Sequence, residues 1–150
     1  MSRIAWRSVP FAALTVAELY DALQLRSEVF VMEQACIYQD LDGLDPEAVH
    51  VLGAVNGQLV AYARCFAVGV KFAEASIGRV IIREAVRGGG MGHELMRQAI
   101  SCVFEHSGVQ PIRIGAQARL EKFYVQHGFV KAGEPYIEDG IPHVEMLRAV

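Results

Sequence analysis

Four glycines fall within five positions, Gly88, Gly89, Gly90 and Gly92, in the stretch RGGGMGHELM (87–96). Each glycine in regular structure costs roughly 0.5–1 kcal/mol relative to alanine, so such a run marks backbone that needs φ > 0 or close approach to another group. An apolar, β-prone run, ASIGRVIIRE (75–84), leads straight into it. From Gly90 to about His106, Leu95, Met96, Ala99, Ile100 and Val103 recur on one face, and Ser107-Gly108 closes the pattern, which predicts an amphipathic helix. Strand, glycine loop and helix in that order commit the chain to a layered α/β fold.

The flanking segments fill in the layers. RIAWRSV (3–9) alternates as a strand that Pro10 limits. In TVAELYDALQLRSEVFVMEQ (15–34), Thr15 and Glu18 have capping-box spacing, and Val16, Leu19, Leu23, Val29 and Phe30 recur at helical intervals. That predicts one helix, or two with a break near Leu25. Residues 35–47, with Asp40, Asp42, Asp45, Gly43 and Pro46, read as a polar loop long enough to carry function. Two β-prone runs in 49–68 flank Asn56-Gly57, the signal for a hairpin with a type I′ turn. PIRIGAQ (111–117) is a short strand, ARLEKFYVQHG (118–128) a helix closed by Gly128, and FVKAG (129–133) and HVEMLRA (143–149) the last strands. A sheet that begins antiparallel and then gains a strand-helix-strand crossover is mixed, with helices on its faces.

Composition narrows the function classes. The 150 residues, 53% hydrophobic and 21% charged, suit one domain with a substantial core, and no repeat or linker divides 1–150. A net charge of −3 with scattered Lys and Arg argues against a nucleic-acid partner. No apolar run reaches membrane-spanning length, and MSRIAWRSVPF lacks the apolar centre of a signal peptide, so a cytoplasmic protein with no membrane partner is expected. Cys36, Cys65 and Cys102, odd in number and far apart, suggest neither a disulfide framework nor a zinc site and fit a reducing compartment. The histidines show no His-x-x-x-His spacing, so no metal is expected.

Glycines at a helix N-terminus offer an anion unpaired N–H groups and a partial positive charge, which points to a phosphate cradle. A P-loop needs Gly-Lys-Ser/Thr where Met91-Gly92-His93 stand. A dinucleotide fingerprint starting at Gly88 would place its third glycine at His93. Arg-x-x-Gly-x-Gly is satisfied by Arg87 to Gly92, and on that motif the chain resembles the GNAT acyl-CoA-dependent N-acetyltransferases. A second family pattern, Tyr-x-x-x-Gly-Phe, is matched by Tyr124, Gly128 and Phe129, and the order of elements agrees over nearly the whole chain. Within the family, residues 19–45, His50 and EDGIPHVEM (138–146) resemble the ElaA-like subgroup.

The resemblance implies a GNAT-like three-layer α/β fold, with a mixed, mostly antiparallel sheet and helices on both faces. It implies acetyl-CoA as cosubstrate, its pyrophosphate held by Arg87, Gly88, Gly89, Gly90, Met91 and Gly92. A backbone N–H near Ile82 would stabilise the oxyanion. Val80 and Ile82, two apart and so on one strand face, would border the pantetheine arm, a role compatible with plain core packing. Tyr124 would be the general acid to the departing thiolate, since a tyrosine hydroxyl ordinarily titrates near 10 and holds its proton at neutral pH. Gln117 stands where many relatives carry an asparagine that contacts the cofactor, one methylene longer.

The general base is not fixed by sequence. Glu74 and Glu84 flank the strand before the loop, while Glu33, His50 and His143 are candidates to border the acceptor pocket; each also reads as a solvated carboxylate or a hydrogen-bonded histidine. His106 suits a helix C-terminus, and His93 has no assigned duty. Asp40, Asp42 and Asp45 are compatible with recruiting a cationic amine, or with a turn held by Asx hydrogen bonds that Arg26 orients. The leading expectation is transfer of acetyl from acetyl-CoA to a primary amine of a small molecule or peptide, by direct attack on the thioester. The alternative is a non-catalytic acyl-CoA-binding or regulatory protein. A homodimer is compatible with the sequence, which does not select it over a monomer.

Overall fold

The computed structural model describes residues 3–150. The edge strand β1 (Ile4–Pro10) is followed by helix α1 (Val16–Arg26), whose start is fixed by the capping box. Thr15 N–H donates to Glu18 Oε1 at 2.9 Å and Glu18 N–H to Thr15 Oγ1 at 3.0 Å, satisfying two otherwise orphaned donors. After Arg26 the chain widens into a π-helical segment, Ser27–Glu33, so the single apolar pattern of 15–34 is one rod with a change of pitch rather than two helices. Strands β2 (Val49–Val55) and β3 (Gln58–Phe66) form the hairpin, with Asn56 at φ 50° and Gly57 at φ 78°, as a type I′ turn requires.

Strand β4 (Ala75–Ile82) pairs antiparallel with β3, and helix α2 (Met91–Ser107) crosses over to strand β5 (Ile112–Gln117), which runs parallel to β4. The segment read as a helix over 118–128 is a 3₁₀ turn followed by the short helix α3 (Glu121–Val125). Strands β6 (Phe129–Lys131), β7 (Tyr136–Glu138) and β8 (Ile141–Arg148) finish the sheet. β7 was not legible in sequence; it is three residues long and exists as the partner of β8. The order is β1-β2-β3-β4-β5-β8-β6, with β7 on β8.

The two faces bury different helices. Leu95, Met96, Ala99, Cys102 and Val103 of α2 pack on Val51, Ala61, Ala63, Ile77, Ile112, Ile114, Val144 and Met146. On the opposite face Ala22 and Leu25 of α1, with Val29 of the π segment, pack on Val9, Leu52, Leu59, Tyr62 and Ile81. The sheet is therefore mostly antiparallel with helices on both faces, as the resemblance implied.

The crossover does not close. β4 and β5 pair only through Ala75↔Ile112 and Ser76↔Arg113, so the edge of β4 beyond Ser76 has no strand beside it. Within β4 the register against β3 slips, Tyr62↔Ile81 being followed by Arg64↔Gly78, so Arg79 and Val80 both stand opposite Ala63. That is a β-bulge, which bends a strand and re-aims its groups. Arg79 sits at φ 51°, a conformation that costs a non-glycine residue about 1–2 kcal/mol and persists where its surroundings over-determine it.

Candidate active site

The wedge between β4 and β5 is the floor of a cleft of about 820 Å³, within the range of small-molecule sites. Val80 and Ile82 line it from β4, Ile114, Gly115 and Gln117 from β5, Arg87, Gly88 and Gly90 to His93 from the glycine loop, and Tyr124 from α3. Gly89, expected in the cradle, is the one loop residue that does not line it.

At the loop end the backbone donors are free. The first bond of α2 is Glu94 N–H to Gly90 O at 3.2 Å, and among the described residues no protein group accepts from the N–H groups of 88–93. Gly88 and Gly90 have φ of 97° and 78°, and a Cβ on either would meet nothing within 4 Å. Glycine is thus demanded there by the turn, and the space above the amides is open. Gly92 differs: it lies inside α2, and a Cβ there would stand 3.3 Å from Phe123. Undonated amides at and just before a helix N-terminus carry partial positive charge that suits an anion, and no side chain caps this one.

Arg87 lines this end but is already engaged. Its Nε donates to Ile82 O at 2.9 Å, and its two terminal nitrogens donate to Glu33 at 2.6 and 3.0 Å. The guanidinium ties the loop to β4 and to the π segment. At the next step along the cleft, Arg83 N–H donates to Val60 O at 2.7 Å. Bonded and non-bonded pairs alternate in an antiparallel ladder, so Ile82, opposite Ala61, turns its N–H and C=O to the open edge of β4.

Tyr124 is 7% exposed, and its hydroxyl makes no hydrogen bond among the described residues. Arg64 Nε is the only buried, unpartnered side-chain nitrogen or oxygen found among them, so the Tyr124 hydroxyl reaches open space. Burial pushes its pKa up to about 12, against a smaller opposing effect of Arg119. Gln117 donates to Gln34 Oε1 at 3.2 Å and accepts from Arg119 Nε at 3.0 Å, leaving one N–H and one lone pair for a ligand.

The candidate bases separate. Glu33 lines the cleft with its carboxylate committed to Arg87. Glu74 pairs with Arg113 at 2.9 Å, and neither it nor Glu84 lines the cleft. His50 is sealed between Tyr62 Oη at 2.6 Å and Asp45 O at 2.9 Å, away from the cleft, and burial lowers its pKa. His143 lines the cleft. His93, at its rim, has a partner invisible in sequence: its Nδ1 lies 2.9 Å from His127 Nε2. His106 accepts no role at the cleft, its Nδ1 lying 3.0 Å from Cys102 O one turn back.

The acidic loop is neutralised from within the fold. Asp40 accepts from Arg26 at 2.8 Å and from Arg79 at 2.7 Å; Asp45 accepts from Arg26 at 2.8 Å and from Arg64 at 2.9 Å; Asp42 pairs with Arg64. Three arginines neutralise three aspartates, and Asp42 Oδ1 also caps Leu44 N–H at 3.0 Å as an Asx turn. Arg26 does orient these carboxylates, as its position suggested. Arg79, drawn to Asp40, holds the bulge in its left-handed conformation, so the network shapes the cleft's edge. Sequence reasoning missed Arg64 and Arg79 here, because each reads as an ordinary strand residue.

Comparison with known proteins agrees with this geometry. A model of the acetyltransferase (GNAT) domain matches residues 16–149. The chain is 44% identical over 149 residues to the ElaA protein of Escherichia coli strain K12, across 98% of this chain and 97% of that one. The crystal structure of Escherichia coli ElaA superposes with a TM-score of 0.91 at 43% identity, covering 97% of this chain and 99% of that chain. An acyl-CoA N-acyltransferase from Pseudomonas aeruginosa superposes with a TM-score of 0.93 at 42% identity, covering 98% and 100%.

Proposed function

From the premise that this chain belongs to the GNAT acetyltransferase family and is similar to ElaA, we propose that residues 1–150 act as one domain transferring acetyl from acetyl-CoA to a primary amine. One observation carries the reading: a single cleft joins the undonated amides of Gly88 and of residues 90–93, the outward N–H of Ile82 and the open hydroxyl of Tyr124. Acetyl-CoA presents the matching series, a pyrophosphate, a pantetheine arm and a thioester.

The amides of 88–93 bind the pyrophosphate, and Arg87 anchors the loop rather than meeting the phosphate. Val80 and Ile82 border the pantetheine arm, with Gln117 supplying its remaining N–H or lone pair from the facing strand. The amine attacks the thioester carbonyl directly, and Ile82 N–H donates to the oxygen as charge develops there, in a site partly shielded from water. Tyr124 gives its proton to the sulfur as the C–S bond breaks. Its raised pKa keeps the hydroxyl protonated throughout the neutral range. The cosubstrate and the free thiols Cys36, Cys65 and Cys102 suit a cytoplasmic setting.

Calorimetric titration with acetyl-CoA, followed by thiol-release assays over polyamines, aminoglycosides, amino acids and lysine peptides, tests this reading. Binding with amine-dependent thiol release is expected. Absence of acetyl-CoA binding would overturn it, and binding without release from any amine would favour a non-catalytic acyl-CoA-binding protein.

A further inference from the structure

We infer that His143 is the general base that takes the proton from the acceptor amine; this rests on the acetyltransferase reading above. His143 stands in β8 opposite Gln117 of β5 and Tyr136 of β7. Its neighbour Val144 points into the core beneath α2, so the alternating His143 side chain projects to the other face of the wedge, the face of Gly115, Gln117 and Glu145. It is 8% exposed and lines the cleft.

The ring's tautomer follows from its contacts. Nδ1 lies 2.7 Å from Ile141 O, and a carbonyl oxygen only accepts, so Nδ1 carries the hydrogen. A neutral ring then holds its lone pair on Nε2. Nε2 makes no hydrogen bond, and it is not a sealed atom, since only Arg64 Nε is both buried and unpartnered among the described residues. Tyr136 stacks on the imidazole at 5.6 Å and 25°, fixing its plane. Gly115 makes room for that stack: a Cβ there would lie 2.8 Å from the Tyr136 hydroxyl.

A carboxylate stands beside the ring. Glu138 of β7 places its carboxylate 3.8 Å from Nε2, where it stabilises the imidazolium once formed. Glu145, on the same face of β8, is paired with Arg113 at 3.1 Å, and Glu33 is paired with Arg87. Asp139, in the turn, receives Cys36 Sγ–H on its backbone carbonyl at 3.2 Å. Of the bases offered by sequence, His143 alone lines the cleft with a basic atom that no protein hydrogen bond engages among the described residues.

The step balances. The neutral amine nitrogen forms the C–N bond and passes one proton to His143 Nε2; the C–S bond breaks, and the sulfur takes the Tyr124 hydroxyl proton. Imidazolium and phenolate then regain neutrality by proton exchange through solvent, leaving amide and free thiol.

Imidazole ¹⁵N NMR of the whole protein tests the premise without turnover: an Nδ1–H tautomer for His143 is expected, and an Nε2–H tautomer overturns the assignment. His143→Asn retains a donor near Nδ1 and removes Nε2. It is expected to lower kcat/KM for the amine by about 10²–10³-fold, to erase the acid limb of the pH–rate profile, and to leave acetyl-CoA affinity unchanged. Wild-type turnover with an intact acid limb would falsify the role. If wild type binds acetyl-CoA, shows the Nδ1–H tautomer and acetylates no amine, the transferase reading has failed and the base role falls with it.

Discussion

One carboxylate oxygen, Asp45 Oδ1, accepts from Arg26 at 2.8 Å and from Arg64 at 2.9 Å. Both guanidiniums are buried, at 0% and 1% exposure, and Asp45 is at 6%. Asp45→Asn leaves an oxygen in place and removes the charge; Asp45→Ala removes acceptor and charge together. A hydrogen bond to a charged group is worth about 1.5–3 kcal/mol, and removing one partner of a buried pair costs about 3–5 kcal/mol. The asparagine variant is therefore expected near the lower figure and the alanine variant near the upper. With a urea m-value near 2 kcal/mol/M, the alanine midpoint should fall by about 2 M at pH 7.

The pH dependence of that loss follows from the carboxyl's position. Burial by itself would raise the Asp45 pKa, but Arg26 and Arg64 outweigh it and hold the group below the usual carboxylate range. A folded pKa below the unfolded value contributes stability that is present above the unfolded pKa and lost as pH falls through the folded one. Arg64 depresses Asp42 in the same direction. The gap between wild type and Asp45→Asn should therefore be full at pH 7 and shrink below about pH 4. An alanine variant losing less than about 1 kcal/mol, as for an exposed ion pair, or a gap that does not narrow in acid, would refute the argument.

Other perturbations probe the cleft directly. Gly92→Glu sets a side chain against Phe123 and a negative charge beside the free amides; acetyl-CoA affinity by calorimetry should be lost while circular dichroism stays native. Gly90→Ala forces an alanine to φ 78° with no clash, so thermal unfolding should show a loss of about 1–2 kcal/mol and weaker cosubstrate binding. Tyr124→Phe removes only the hydroxyl; thiol-release kinetics should show kcat reduced about 10²-fold or more with acetyl-CoA binding intact, and wild-type kcat would remove Tyr124 from the acid role.

What the sequence determined by itself is what short-range physics decides. Thr15 and Glu18 cap a helix across three residues, Asn56-Gly57 favours a type I′ turn, and glycines at 88 and 90 permit the positive φ that the loop takes there. The glycine loop and Tyr124 were legible as candidates because they match a local pattern, and all of them but Gly89 line the cleft. Tertiary structure decided which chemically similar groups are free. Asp40 and Asp45 were compatible with a cation site or with an Asx turn that Arg26 orients, and only the fold brings Arg26, Arg64 and Arg79, from 14 to 39 residues away, to neutralise them. His50 and His143 are alike as letters; one is sealed by Tyr62 and Asp45, the other opens on the cleft beneath a strand too short to predict. The bulge at Arg79 had no local signal either, because arginine does not choose that conformation; a buried carboxylate, 39 residues earlier, holds it there. Burial and pairing depend on every element packed around a group, and that information is not carried by the group's own neighbours in the chain.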